Sequence, residues 1–237
     1  MEASTYATLS RQSGLMNEMR IVANNIANAA TTGYRQEGVV FSEYIQAAPD
    51  HSTLSMTRAQ IRNTSLLEGA LTETGGRFDF AIDGEGYFLL ETEEGQALTR
   101  AGNFLPNADG DLVTTGGARV LDAGGAPVFL PPGAQIMVAS DGTISADGQP
   151  VGQIGDVVPV DPLSLQRRDG VMFTTQAGVD PAERSRVLQG FIEGSNVNPI
   201  LQVARMIEVQ RAYELGQSFL DREDQRVRNA VKSMIRS

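Results

Sequence analysis

The chain has 237 residues, 41% hydrophobic and 6% aromatic, with 25 glycines and a formal charge of −10. That length supports one large domain or two modest ones, each with a real core, and the acidic balance argues against a phosphate backbone or an anionic membrane as partner. There is no cysteine, one histidine (His51) and one lysine (Lys232), which removes thiolate chemistry, multi-histidine metal sites and Walker-type phosphate loops.

At the N-terminus, Met1-Glu2-Ala3-Ser4 offers neither a positive charge nor an apolar stretch of a secretory leader, so no cleavable signal is expected. No run of about 18 apolar residues is present to span a bilayer, and no stable membrane insertion is expected. From Leu9 an apolar seam runs Leu9, Gln12, Met16, Met19, Ala23, Ile26, Ala30, with the 3.5-residue repeat of a supercoiled helix. Asn24, Asn25 and Asn28 are poor helix formers placed on this helix. Asn24 and Asn28 lie one turn apart, where their amides either bridge neighbouring helices and set a register or simply fray the helix end. Gly33 reads as a left-handed stop.

Residues 35–75 read as an extended, polar linker with at most short strands, holding Pro49, His51 and Thr64-Ser65. Residues 76–189 read as a β-rich outer domain. Residues 69–178 hold 19 of the 25 glycines, and residues 35–189 carry 10 basic against 21 acidic side chains. Phe78, Phe80 and Ile82 alternate with Asp79, Ala81 and Asp83, the period of a half-buried strand. Turn signals recur at Asp83-Gly84, Glu94-Gly95, Asp109-Gly110, Gly116-Gly117, Gly124-Gly125, Pro132-Gly133, Asp141-Gly142 and Asp147-Gly148, the spacing of short antiparallel strands.

Asn198-Pro199 marks the start of a second long helix, because asparagine caps orphan amides and proline needs no donor in the first turn. Its seam is Met206, Val209, Tyr213, Gly216, Leu220, Glu223, Val227, Ala230, Met234. Residues 1–34 and 190–237 therefore read as one discontinuous helical domain. The fold class expected is α+β: terminal α-helices forming a coiled-coil-type assembly domain around a central all-β domain. Neither helix gains enough from itself to be stable alone in water, so both are expected to order on assembly.

Other signals have plainer explanations. The Asp-Gly pairs suit hairpin turns and match no calcium-loop spacing. Gly84-Glu85-Gly86 precedes a strand, not the helix a dinucleotide loop requires. Asp79, Asp83 and Glu85 fall on the polar side of a strand and its turn, although a secreted carbohydrate-active or carbohydrate-binding β protein stays open as an alternative, and a soluble coiled-coil adaptor as another. His51 has no partner motif. No catalytic residue, metal ligand or cofactor is assigned.

Several blocks resemble the flagellar rod and hook protein family. They are Ala23-Asn24-Asn25-Ile26-Ala27-Asn28-Ala29 with Thr31-Thr32-Gly33-Tyr34, then Asp79 to Phe88, Leu98 to Phe104 and Gly110 to Thr114. Gly194-Ser195-Asn196-Val197-Asn198-Pro199 and Met206 to Glu214 complete the series. Length and the middle module are similar to the two longer rod subunits. Gly216, where the distal subunit usually has asparagine, and Leu98 favour the proximal one. The resemblance implies an inner tube of terminal helices with the β module outside, torque transmission across the periplasm, and export through the flagellar type III apparatus. Its implied partners are other copies and other rod proteins, with no nucleic acid. The candidate interface positions are Leu9, Met16, Met19, Ala23, Asn24, Asn25, Ile26, Asn28, Asn196, Asn198, Met206, Val209, Tyr213, Leu220 and Val227.

Overall fold

The computed structural model describes residues 2–47 and 53–236, so Pro49 and His51 lie outside the described residues. The chain divides into two compact units, residues 1–27, 37–65 and 198–237 in one and residues 28–36 and 66–197 in the other. These boundaries differ from those expected: residues 28–34 and 190–197, read as part of the helical ends, belong to the β-rich unit.

The helical unit is built from α1 (Glu2–Ala27), a hairpin of β1 (Glu37–Ala47) and β2 (Thr53–Thr64), and α2 (Pro199–Arg236). Helix α2 starts where the sequence places it. The Asn198 Oδ1 accepts from the amides of Ile200 and Leu201 at 3.1 and 3.2 Å, satisfying two donors that the first turn leaves free. Helix α1 stops earlier than its seam suggests, at Ala27, so Asn28 and Ala30 lie beyond the helix. There the amide of Thr31 donates to the Asn28 carbonyl at 3.1 Å and the amide of Tyr34 to the Thr31 carbonyl at 3.2 Å, turning the chain.

The expected linker is corrected more strongly. Strands of 11 and 12 residues occupy much of 35–75, paired antiparallel from Glu37 opposite Thr64 to Ala47 opposite Thr53, with a register shift between Val40 and Phe41. β1 holds the β-branched and aromatic residues Val39, Val40, Phe41, Tyr44 and Ile45 without a regular alternation, and the polar sequence of β2 masks its strand character. Helix α1 packs against both strands and against α2.

The β unit follows in chain order. Its first strands are β3 (Leu71–Glu73), β4 (Phe80–Asp83), β5 (Tyr87–Thr92), β6 (Gly95–Thr99), β7 (Phe104–Pro106), β8 (Leu112–Thr114) and β9 (Arg119–Val120). Next come β10 (Ile136–Val138), β11 (Thr143–Ala146), β12 (Gln149–Gln153) and β13 (Asp156–Pro159). The last are β14 (Gln166–Asp169), β15 (Met172–Thr174), β16 (Val179–Pro181), β17 (Arg186–Gln189) and β18 (Phe191–Glu193). The main sheet runs β14-β15-β6-β5-β9-β8-β7, with β13 paired to β5 and β16. Smaller pairings join β17 to β4 and β18 to β3.

Strand β5 explains why this unit has two cores. Successive side chains of a strand face opposite sides. Phe88 and Leu90 enter a cluster with Phe80, Ile82, Phe104 and Leu112, whereas Tyr87 and Leu89 meet Leu98, Leu121, Val157 and Phe173. Phe88 and Phe104 stack edge to face, with centroids 5.2 Å apart. Each fully buried side chain of this kind contributes roughly 1.5–3 kcal/mol. All eight expected turns carry their glycine at positive φ, from 77° at Gly133 to 111° at Gly95.

Candidate assembly interface

Polar side chains dominate the buried seam between α1 and α2. The two helices run antiparallel, as three cross-links along them show. Near one end the Asn25 Nδ2 donates to the Gln202 Oε1 at 3.3 Å. In the middle Arg205 binds Glu18, with Nε 2.7 Å and Nη2 2.6 Å from Oε1. Further on, the Gln12 Nε2 donates to the Gln217 Oε1 at 3.1 Å. The Glu18 side chain is 9% exposed and that of Arg205 51%. The hydrogen bond to Glu18 is the main reason that the Arg205 guanidinium is held above its ordinary pKa, with Glu208 adding to it.

Asn25 also ties the hairpin to the helix. Its Nδ2 donates to the Glu37 carbonyl at 2.7 Å and its Oδ1 accepts from the Glu37 amide at 3.0 Å. The amide thus caps a strand start and reaches the other helix at once, so the register role anticipated for Asn24 and Asn28 falls to Asn25 within the chain. Asn24 is exposed, and Asn28, past the helix end, accepts from the Thr31 hydroxyl. Gly216 has a local reason: a Cβ there would sit 3.3 to 3.4 Å from the Gln12 side chain.

The remaining expected positions separate into two sets. Val209 is buried, and Met19, Ile26, Met206, Tyr213 and Leu220 are half-buried. Leu9, Met16, Ala23 and Val227 are exposed, and on α2 so are Ile200, Leu201, Val203, Ile207, Leu215 and Phe219, which the sequence reading did not single out. The α1 face buried in the chain carries Gln12, Glu18, Ile21, Val22 and Asn25, turned partly away from the expected seam, so that half of that seam stays open. Leu15, Ala212, Leu215 and Phe219 wall an open groove of about 370 Å³ between the helices.

Asn196 and Asn198 act inside the chain, the first in the β unit. Asn196 Oδ1 accepts from the Gln36 amide at 2.6 Å, and its Nδ2 donates to the Leu67 carbonyl at 2.7 Å. Beside it sits a buried ion cluster absent from the sequence reading. Glu193, 1% exposed, holds the Arg100 Nε at 2.5 Å and the Arg35 Nη2 at 3.1 Å, and accepts from the Gly69 amide at 2.8 Å. Arg100 gives its other donors to the carbonyls of Ile82, Gly84 and Gly86 at 3.0, 2.9 and 2.6 Å. Burial pulls the Arg35 guanidinium below its ordinary pKa, against the pull of Glu193. The Gly33 amide donates to the Glu193 carbonyl at 2.8 Å, so segments on either side of the helical ends are locked together within this unit. A Cβ on Gly33, at φ 68°, would come within 2.2 Å of the Ala101 amide nitrogen. The signal that points to the cluster is Arg100, a charge inside the otherwise uncharged run Ala97 to Phe104.

Asp79, Asp83 and Glu85 do not form a facing pair: Asp79 accepts from the Thr74 hydroxyl at 2.6 Å, and Asp83 and Glu85 are exposed. Among the described residues, no group of three or more histidine or acidic side chains is placed to hold a metal ion.

Helices from the two end segments of the chain, joined in one unit with rows of uncovered aliphatic side chains, define a class: a structural subunit with association surfaces. Comparison with known proteins makes it particular. Residues 6–35 match the family "Flagella basal body rod protein", residues 81–146 the "Flagellar hook protein FlgE/F/G D1 domain" and residues 188–233 the "Flagellar basal body rod FlgEFG protein C-terminal". The chain is 38% identical to the flagellar basal-body rod protein FlgF of Caulobacter vibrioides, over 99% of this chain and 98% of that one. It is 39% identical to FlgF of Mesorhizobium japonicum over 90% of each, and 29% identical to FlgG of Bacillus subtilis over 98% of each. The chain belongs to the flagellar basal-body rod protein family and is of the FlgF type. It is a structural rod component and not an enzyme. The signature blocks and the preference for the proximal-rod type over FlgG are borne out.

Proposed function

We propose that this chain polymerises through its helical unit, so that α1 and α2 of successive copies form the coiled-coil wall of the rod that carries torque from motor to hook. The observation that carries the reading is the set of apolar side chains on α1 and α2 exposed in a single copy: Leu9, Met16, Ile200, Ile207, Leu215, Phe219 and Val227. A lone soluble protein gains nothing by keeping them open to water, whereas a neighbour covering them gains roughly 1.5–3 kcal/mol for each that becomes fully buried. Half-buried Met19, Ile26, Met206, Tyr213 and Leu220 and exposed Asn24 are further candidate contacts. The partners are other copies and the other axial rod proteins. Export proceeds through the flagellar type III apparatus, and the subunit resides in the periplasm-spanning rod of the basal body. The resemblance of the signature blocks supports both statements.

Replacing Leu220 with Asp places a charge at one of these candidate contacts. In cells carrying L220D as the sole copy, swimming and recovery of the subunit in purified basal bodies should fall together, while the β unit keeps its thermal transition. Wild-type swimming in L220D would remove Leu220 from the interface.

A further inference from the structure

Every passage of the chain from one unit to the other runs through one of three segments, residues 28–36, 66–70 and 193–197, which all belong to the β unit. Within that unit the three are bonded to one another. The Gly33 amide donates to the Glu193 carbonyl at 2.8 Å and the Asn196 amide to the Tyr34 carbonyl at 3.2 Å, joining the first segment to the third. The Gly194 amide donates to the Ala70 carbonyl and the Gly69 amide to the Glu193 carboxylate, both at 2.8 Å, joining the second to the third. Arg35 closes the set by reaching the Leu66 carbonyl at 3.4 Å. A Cβ on Gly69 would fall 2.0 Å from the Gly194 carbonyl oxygen, so these backbones lie in direct contact. Two arginines fasten the junction to the main sheet. Arg100, just after β6, binds the Glu193 carboxylate and the carbonyls of Ile82, Gly84 and Gly86. Arg167 of β14 lies against the rings of Tyr34 and Phe173, 4.4 and 4.7 Å from their centroids, and donates to the Arg35 carbonyl. Tyr87 connects the two arginines, edge to face with Phe173 at 6.0 Å and 5.9 Å from the Arg100 guanidinium.

Resting on the rod reading above, we infer that this junction is the load-bearing joint of the subunit, with Glu193 as its positioning residue and Arg167 as a second fastening. Stability alone does not account for charges here, because apolar side chains of the same volume often stabilise a buried site as well as an ion cluster does. What the charges add is direction. A hydrogen bond weakens steeply once donor and acceptor slide out of line, whereas apolar contact is non-directional and tolerates sliding. No covalent route links the two units except the three segments, so twisting load that the chain carries from one unit to the other pulls on all of them. Glu193 opposes that pull at a single residue: its carbonyl holds the first segment, its carboxylate the second, and its backbone belongs to the third. Resistance to load then follows the alignment of these bonds and not the stability of the β unit as a whole.

The test separates load from stability. Cells carry as sole copy the wild-type chain, Glu193→Gln, Arg167→Lys or Leu112→Ala. The last opens a cavity in an apolar cluster that includes no residue of the three segments, and so lowers stability by another route. Arg167→Lys keeps the charge and loses the flat guanidinium that stacks on Tyr34 and Phe173. The amount of subunit in purified basal bodies is measured first, then swimming and the shedding of hooks with filaments, in plain buffer and in buffer thickened with methylcellulose. In plain buffer Glu193→Gln and Leu112→Ala should behave alike. In thickened buffer Glu193→Gln should lose swimming and shed several-fold more than Leu112→Ala, with Arg167→Lys failing in the same direction. Equal shedding by Glu193→Gln and Leu112→Ala in thickened buffer would overturn the joint, as would wild-type swimming of Glu193→Gln there. Where Glu193→Gln does not enter basal bodies, Arg167→Lys is read by the same comparison. Failure of both to enter where Leu112→Ala enters would assign the cluster to folding alone and also overturn the joint. Absence of the wild-type chain from basal bodies would instead overturn the rod reading, an outcome read before any load is applied.

Discussion

Glu193 shows how much one side chain decides in the β unit. Its carboxylate faces Arg35 and Arg100, all three nearly inaccessible to water. Removing one partner from such a cluster costs far more than the cluster contributes, because the remaining charges stay buried and unpaired. Glu193→Gln should therefore destabilise the β unit by about 3–5 kcal/mol, read as a lower urea midpoint, although it preserves the side-chain shape. Asp156 behaves differently. Burial raises its carboxyl to about 6, with the Ser185 hydroxyl, Arg100 and the Tyr87 amide pulling the other way. Its Oδ1 has no hydrogen-bond partner, and a Cβ on Gly86 would lie 2.1 Å from that oxygen. The native state thus binds the proton more tightly than the unfolded chain does, so stability falls as pH rises from about 4 to 6 and is regained on acidification. The full effect at neutral pH is at most about 3 kcal/mol, reduced by the part of the carboxyl that water reaches. Asp156→Asn should raise the thermal midpoint at pH 7 and flatten its dependence between pH 4 and 6. An unchanged slope would show that the group titrates normally.

Among the elements, Asn25 joins three: α1 that carries it, β1 through both backbone groups of Glu37, and α2 through Gln202. Asn25→Ala leaves the Glu37 amide and carbonyl without this partner in a buried setting. It should loosen the helical unit by about 1–3 kcal/mol, seen as faster proteolysis within residues 37–65 while the β unit resists cleavage as before. Equal protection in wild type and variant would deny Asn25 that role. How far these elements were legible follows from what holds each one. Turns governed by backbone conformation were readable, since glycine at positive φ is a local requirement met at Gly84, Gly95 and Gly142 among others. The cap at Asn198 was readable from a local side-chain-to-backbone bond, and the strand at Tyr87 to Leu90 from its unbroken apolar run after a turn. The hairpin of β1 and β2 was not, because half of its strand character comes from pairing and not from its own residues. The choice of Asn25 over its neighbours depends on where β1 begins, and Arg35, Arg100 and Glu193 lie far apart in the chain, so beyond the lone charge of Arg100 in its uncharged run no local pattern announces their pairing.

At the scale of the whole molecule the two units are held by different means. The β unit buries two apolar clusters built around β5. In the helical unit, Ile21, Val22 and Val209 are the fully buried aliphatic side chains among those described, and polar cross-links carry much of the contact between its helices. The neutral hydrogen bonds among them contribute only about 0.5–1.5 kcal/mol each and the one ion pair about 1.5–3 kcal/mol, which leaves α1 and α2 dependent on cover from outside. The central claim is that neighbours supply this cover. Hydrogen exchange, followed peptide by peptide in the dilute subunit and in intact basal bodies, tests it most directly. The account predicts fast exchange along α1 and α2 in the free chain, slow exchange of the same segments in the rod, and slow exchange of β5 in both. Equally slow exchange of α1 and α2 in the free subunit would contradict it.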